Sequence, residues 1–468
     1  MRQLLYRGRT KERGLRLWPV GPVLLLTFTA AVIVAAAVFY AGWDLLDARG
    51  LKPERRIDSK TLFDLVKLSF GVVAGAGALV ALVVAYRRQR VDEDGALREA
   101  TRLHTERFTT AVGQLGDTSA AVRLGGVHAL AGLADDAPTR ALRQTCIDVL
   151  CAYLRLPYTA DADLPADDAE ARHDYLAMRE VRHTVIRLIR DHLRLAPTHP
   201  HSWQGHDFDL TDVTFDGGDL SGAVFSDSTV DFASARFIGG TVDFTGAVFS
   251  DSTVDFGRAV FSGGRVDFAS ARFIGGTVDF GRAVFSGGIV DFGSAMFSGS
   301  VDFLNASFSG GTVFFTNARF IGGRTVFRGA LFSGGRVYFT DAEFCSGSVS
   351  FERAEFSDGR VDFTKAVFSG STVDFGSAKF SGARVGFGMA SFPNGTVHFR
   401  MVSFSGGTVH FNRAAFSGNT VDFASARFSG GTVDFSRANG AAPHGLIPSN
   451  GSPAPAGLAL PPEWAPQN

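Results

Sequence analysis

The chain has 468 residues and a formal net charge of −1, with 46 Lys and Arg against 47 Asp and Glu, a balance that excludes no class of partner. Its three cysteines, Cys146, Cys151 and Cys345, are too few and too poorly placed for a disulfide framework, and a reducing compartment fits them best. Most of its 55 glycines belong to a repeat that fills the second half, which excludes an ordinary globular domain there.

Residues 1–16 form a basic tail in which Arg2, Arg7, Arg9, Lys11, Arg13 and Arg16 face one acid, Glu12. An uncharged apolar run over 17–43 follows, long enough to cross a bilayer and bounded by Trp18 at one end and Tyr40 and Trp43 at the other. After an external loop, 44–61, a second span is expected over 62–86, with Lys67 near its entrance able to snorkel outward. Both outer flanks are basic, the second through Arg87, Arg88 and Arg90. The positive-inside rule therefore predicts a multi-pass protein of a bacterial plasma membrane with both termini in the cytoplasm. Gly71 and Gly75 form a small-xxx-small pair that serves either packing of the two spans, the favoured reading, or a homodimer.

From 92 to 195 apolar residues recur at helical intervals and predict a small all-α domain. One stripe runs from Leu97 to Leu115, and a second helix, capped by Thr118 or Ser119, carries Val122 to Leu133. A third carries Leu142 to Tyr153 and stops at Pro157; after an acidic loop around Asp161 to Asp168, a last one carries Met178 to Leu193. The linker 196–206 holds His199, His201 and His206, but a Pro-rich loop without a second ligand cluster is a poor metal site, and no metal is expected. The tail, 438–468, reads as disordered, although its apolar piece Leu458 to Trp464 is suited to cover the end of the repeat.

Between them, over 207–437, Phe returns at alternating intervals of five and seven residues from Phe225 to Phe435, with one interval of six from Phe297 to Phe303. Thirty-six of the 44 phenylalanines lie on this ladder, with Val or Ala two residues before almost every one. At the entrance Leu210, Phe215, Leu220 and Phe225 are uniformly five apart, within Asp-Leu-Thr-Asp, Val-Thr-Phe-Asp-Gly and Gly-Asp-Leu-Ser-Gly. This pattern resembles the pentapeptide-repeat family, membrane-anchored actinobacterial type, and the resemblance covers about half the chain, the solenoid. The resemblance implies a right-handed, four-sided parallel β-helix. Here every other side is longer by two residues, so one coil takes about 24, and Phe232, Phe256, Phe280, Phe303 and Phe327 fall in one column. Ladder phenylalanines read as core, and the Ser-Gly-Gly tracts as corners needing positive φ.

Function is then expected on outward positions. Asp231, Asp255, Asp279 and Asp302 should stack on one side and Asp243, Asp267 and Asp291 on the opposite one, a candidate partner-binding surface. Repeated, near-identical exposed carboxylates do not make an acid–base pair, and no catalytic residue, cofactor site or small-molecule substrate is expected. The reading is a membrane-anchored, non-enzymatic scaffold that binds an unknown protein. The alternative implied by the resemblance is an acidic DNA mimic that binds a topoisomerase such as gyrase. Against it, residues 207–437 hold 23 acidic and 18 basic side chains, a small excess, and nucleic acid itself is not favoured as a partner.

Overall fold

A computed structural model describes residues 20–45, 58–161, 164–165, 168–417, 420–447 and 454–464. The basic tail, residues 17–19 with Trp18, residues 46–57 of the expected external loop, and parts of the acidic loop and C-terminal tail lie outside these residues. The chain forms two compact units divided between Leu103 and His104.

The first unit is built on α1, Val20–Leu45, and most of α2, Ser59–Leu115. Among the described residues one helix, α2, is long and apolar enough to cross a membrane, where the sequence reading expects two spans. Some side chains of α1 lie outside the described set. The sequence reading also separates a span ending near Tyr86 from a helix entered near Leu97. The structure runs one 57-residue helix through both, because the intervening stretch has no proline and is held by one-turn pairs. Gln89 donates to Glu93 at 3.1 Å, and Arg102 lies 2.7 Å from Glu99. Among the described residues, a Cβ built at Gly71 or Gly75 finds nothing within 4 Å.

In the second unit the end of α2 packs with α3 (Ala120–Asp135), α4 (Arg140–Arg155) and α5 (Ala169–Leu193) around Val127, Leu130, Cys146, Leu150, Val185 and Ile189. Thr139 and Asp168 cap α4 and α5, accepting from the N–H of Leu142 and Ala171 at 3.3 and 2.9 Å. Ser119 stands at the N-cap of α3 without a side-chain bond. The linker is not a loose loop. Trp203 is fully buried, and Arg143 donates to the Pro200 carbonyl at 2.7 Å.

From Phe208 onward the chain is a parallel β-solenoid of about 24 residues per turn. Val230 pairs with Val254, Val254 with Val278, and Val278 with Val301, the last step of 23 residues absorbing the six-residue interval. Each turn supplies four inward phenylalanines, and like stacks on like: Phe225 on Phe249 at 4.9 Å, Phe256 on Phe280 at 4.8 Å, Phe237 on Phe261 and Phe244 on Phe268 at 4.7 Å between centroids. Within a turn Phe232 meets Phe244 edge to face at 5.7 Å, so stacking runs along the axis and the opposite geometry crosses it.

The Gly corners take positive φ as expected, Gly264 and Gly335 at +65° among them. The short corners hold a feature the repeat does not announce. Their left-handed position is filled mostly by side-chain-bearing residues, among them Ser234 (φ 59), Arg258 (φ 61) and Met401 (φ 56). Both ends are covered. Helices α4 and α5 pack over the first turn, and Ile186 fits against Gly218, where a Cβ would lie 2.9 Å from its Cδ1. At the far end the tail is ordered over Leu458–Trp464. Leu458 pairs with Val433, and buried Trp464 sits 5.8 Å from the Phe435 ring and donates to the Gly440 carbonyl at 2.9 Å.

Two substitutions separate these corner types. In Gly335→Ala the new Cβ would lie 2.6 Å from the Gly310 carbonyl oxygen at a φ of +65°, and thermal unfolding should show a loss of about 2 kcal/mol or more. Met401→Gly, at an exposed left-handed position, should instead be neutral or gain about 0.5–1 kcal/mol.

Candidate interaction surface

The two Asp columns form as the spacing requires. Asp231, Asp255, Asp279 and Asp302 are consecutive register partners in one sheet, and Asp243, Asp267 and Asp291 in the other. The sequence does not disclose what half of each carboxylate does. In all seven, Oδ1 accepts the backbone N–H two residues on, at 2.6 Å from Gly257 to Asp255 and from Gly281 to Asp279, and at 2.7–2.9 Å from Ala233, Thr245, Ala269, Gly293 and Leu304 to the others. The main chain turns the corner just after each Asp, and this bond satisfies an N–H that the ladder leaves over. The columns are therefore corner caps whose second oxygen remains for the surface.

Their charge is not uniform. Arg265 lies 2.7 Å from Asp267 and 2.6 Å from Asp291, neutralising one column in part. Among the described residues no cation pairs with Asp231, Asp255, Asp279 or Asp302. Beyond Asp291 the column continues as Phe314 and Tyr338, whose rings stack at 5.3 Å, and then Asp362, which is buried and paired with Arg360 at 2.6 Å.

A second cluster, absent from the sequence reading, sits where the helices meet the first turn. Asp216 follows the strand residue Phe215 and is 7% exposed. It accepts from the Tyr158 and Tyr175 hydroxyls at 2.7 and 2.8 Å, with His183 Nε2 at 3.4 Å and Arg179 Nε at 3.6 Å. Burial alone would raise its pKa, but the bonds from His183, Tyr158 and Tyr175 outweigh it and hold the carboxyl down at about 2. The same arrangement pushes Tyr175 up to about 12, by burial first and then by its bond to Asp216. Arg182, also buried, donates to the carbonyls of Leu154 and Thr214 at 2.7 and 2.8 Å and lies over the Tyr158 ring. Beside the cluster is a cavity of about 420 Å³ bounded by Arg172, Tyr175, Arg179 and Gly240. Tyr175, Arg179, Arg182 and His183 are spaced to share one face of α5, which is the available signal, whereas Asp216 sits in a regular five-residue unit of the repeat.

The three linker histidines do not meet at one point. The His199 and His201 rings lie 5.3 Å apart and His201 is 3.6 Å from Asp135, which also takes His192 Nε2 at 3.1 Å and Trp203 Nε1 at 3.2 Å, whereas His206 is buried elsewhere and neither of its ring nitrogens has a hydrogen-bond partner among the described residues. Among the described residues no group of three or more His, Cys, Asp or Glu side chains is arranged to hold a metal ion.

Comparison with known proteins gives a match between residues 292–343 and the family model for pentapeptide repeats (nine copies). Among solved structures the chain is similar to trypsin-treated QnrB1, a plasmid-mediated fluoroquinolone resistance protein, at 21% identity over 42% of this chain and 89% of that one, with a TM-score of 0.14. No curated protein matches.

The low pKa of Asp216 sets a pH dependence. A carboxyl held at about 2 against an ordinary 3.8 contributes stability that is fully present above about pH 4 and is lost as pH falls toward 2. Denaturant unfolding of Asp216→Asn should show a deficit of about 2 kcal/mol at pH 7 that narrows below pH 4, while a deficit constant down to pH 2 would deny the carboxylate this role.

Proposed function

We propose that the chain is a membrane-anchored, non-enzymatic scaffold that presents its solenoid to a protein partner at the cytoplasmic face. The observation that carries this reading is the apolar part of α2, where Phe63, Leu68, Phe70, Val73 and Leu82 all stand more than 60% exposed, a surface that needs lipid to cover it. In this reading α1 is a second span, the basic flanks keep both termini in the cytoplasm, and the rod winds as a right-handed, four-sided β-helix. The four ring stacks per turn support the last point. A binding role is supported by the way the carboxylates are used: they cap corners along an open surface instead of meeting as an acid–base pair in a cleft.

A second reading, an acidic mimic of nucleic acid that engages a topoisomerase such as gyrase, is favoured by the column Asp231, Asp255, Asp279 and Asp302, which pairs with no cation among the described residues. It predicts that the purified protein inhibits or protects the enzyme in a supercoiling assay, and that Asp255→Asn with Asp279→Asn weakens the effect. No effect at high concentration would remove it.

For the anchor, the full chain expressed in bacteria should float with membranes and resist carbonate extraction. Val73→Arg together with Val80→Arg, each costing about 2.5–3.5 kcal/mol at the centre of a span, should release a large fraction. Full extraction of the unaltered chain by carbonate would overturn the reading.

A further inference from the structure

The rod is electrically polar along its length. From Asp207 to Asp302 there are 14 acidic and five basic residues; from Phe303 to Arg437 there are nine acidic and 13 basic. On the face that carries Asp243 this polarity is organised turn by turn. The register runs Thr241, Arg265, Ile289, Thr312, Arg336, Arg360, Arg384 in one outward column. Beside it run Asp243, Asp267, Asp291, Phe314, Tyr338, Asp362 and Gly386 in the other. The acidic end, the aromatic centre and the basic end occupy seven successive turns with Phe314 at the midpoint. Arg336 and Arg384 are exposed and make no ion pair among the described residues.

The geometry points to this face as a self-complementary interface that joins two copies of the chain as an antiparallel pair, with the two-fold axis at the turn of Thr312 and Phe314. The symmetry does the matching. An antiparallel copy brings the turn of Asp291 opposite that of Arg336 and Tyr338, and the turn of Asp243 opposite that of Arg384. The turns of Arg265 with Asp267 and of Arg360 with Asp362 each hold an ion pair, Arg265 reaching Asp291 as well, and they meet one another without net charge. Phe314 meets its own symmetry mate, beside Ile289 and Tyr338, which gives the contact an apolar centre and a charged periphery. Because both copies use the same interstrand step, opposed turns stay in step along the contact, each column facing its own copy and the cations reaching the facing carboxylates diagonally, two residues along the strand. Two-fold closure leaves no acidic or basic end over, so the contact makes a dimer and not a filament.

A strip seven turns long extends only about 30 Å and is one strand wide, which puts its buried area at the low end for stable interfaces. The dimer should therefore form at micromolar concentration and weaken with salt. It is independent of whether the rod also binds another protein.

The test uses the full chain in detergent micelles or nanodiscs. Sedimentation velocity at low salt should show a dimer that dissociates as NaCl is raised to about 1 M. Arg336→Asp and Asp291→Arg should each raise the dissociation constant about tenfold or more, and the double variant should recover most of the loss. Thermal unfolding checks that each variant stays folded. Because Asp291 also caps a corner, a second measurement is independent of it. In a Cys345→Ser background, Thr312→Cys should form an intermolecular disulfide under mild oxidation, whereas Thr253→Cys, exposed on the other sheet, should not. A monomer at every concentration, a dimer indifferent to both charge reversals, or equal crosslinking at the two engineered positions would each overturn the assignment.

Discussion

Everything in the rod follows from one constraint, the hydrogen bond from each turn to the next at a step of about 24 residues. Phe232 N–H donates to the Asp255 carbonyl and Phe256 N–H to that of Asp279, both at 2.6 Å, and the pattern repeats along the chain. A parallel ladder in register places each side chain over its counterpart one strand spacing away. Phenylalanine suits this because a flat ring stacks on its copy at the same distance as the backbone, and the observed centroid separations near 4.8 Å are that distance. The constraint is equally strict at the corners. A Cβ at Gly335 would collide with the corner of the preceding turn, so the glycine requirement there is steric as well as conformational.

A ladder of this kind has no internal reason to stop, and its ends must be closed by something other than the repeat. Helices α4 and α5 close one end, and the knot around Asp216 fastens them: one buried carboxylate takes hydroxyls from Tyr158 on the chain between α4 and α5 and from Tyr175 on α5 itself. Buried Arg182 bridges the same parts through the carbonyls of Leu154 and Thr214. At the other end Trp464 lies against Phe416 and Phe435, replacing the turn that would otherwise follow.

How much of this the sequence discloses depends on whether the cause is periodic. The 24-residue register, the buried Phe and Val columns and the glycine corners are all legible, because each rests on a spacing that recurs. The Asp columns are legible as columns but not as caps, since an Asp hydrogen-bonded to Ala233 N–H and a freely solvated one have the same place in the repeat. The Asp216 knot is hidden for a different reason: its members come from separate positions between Tyr158 and Asp216, and a shared helix face unites only those on α5. The long α2 invites division because a change of composition near Arg87 resembles a boundary, although helix geometry is indifferent to whether its surface is apolar or charged.

The caps also show where the surface is free to choose. The same tight turn, with a left-handed third residue, is made after Asp291 (Ser294, φ 57), after Phe314 (Asn317, φ 57) and after Tyr338 (Asp341, φ 55). A carboxylate is therefore compatible with the corner but not required for it. If capping were the whole purpose of the columns, Asp would have no reason to give way to aromatic rings at the middle of one face. Its replacement there by Phe314 and Tyr338, followed by cations on the next turns, is a property of the outward surface, and the fold tolerates it because the inward ladder of Phe315, Phe339 and Phe363 continues unchanged beneath.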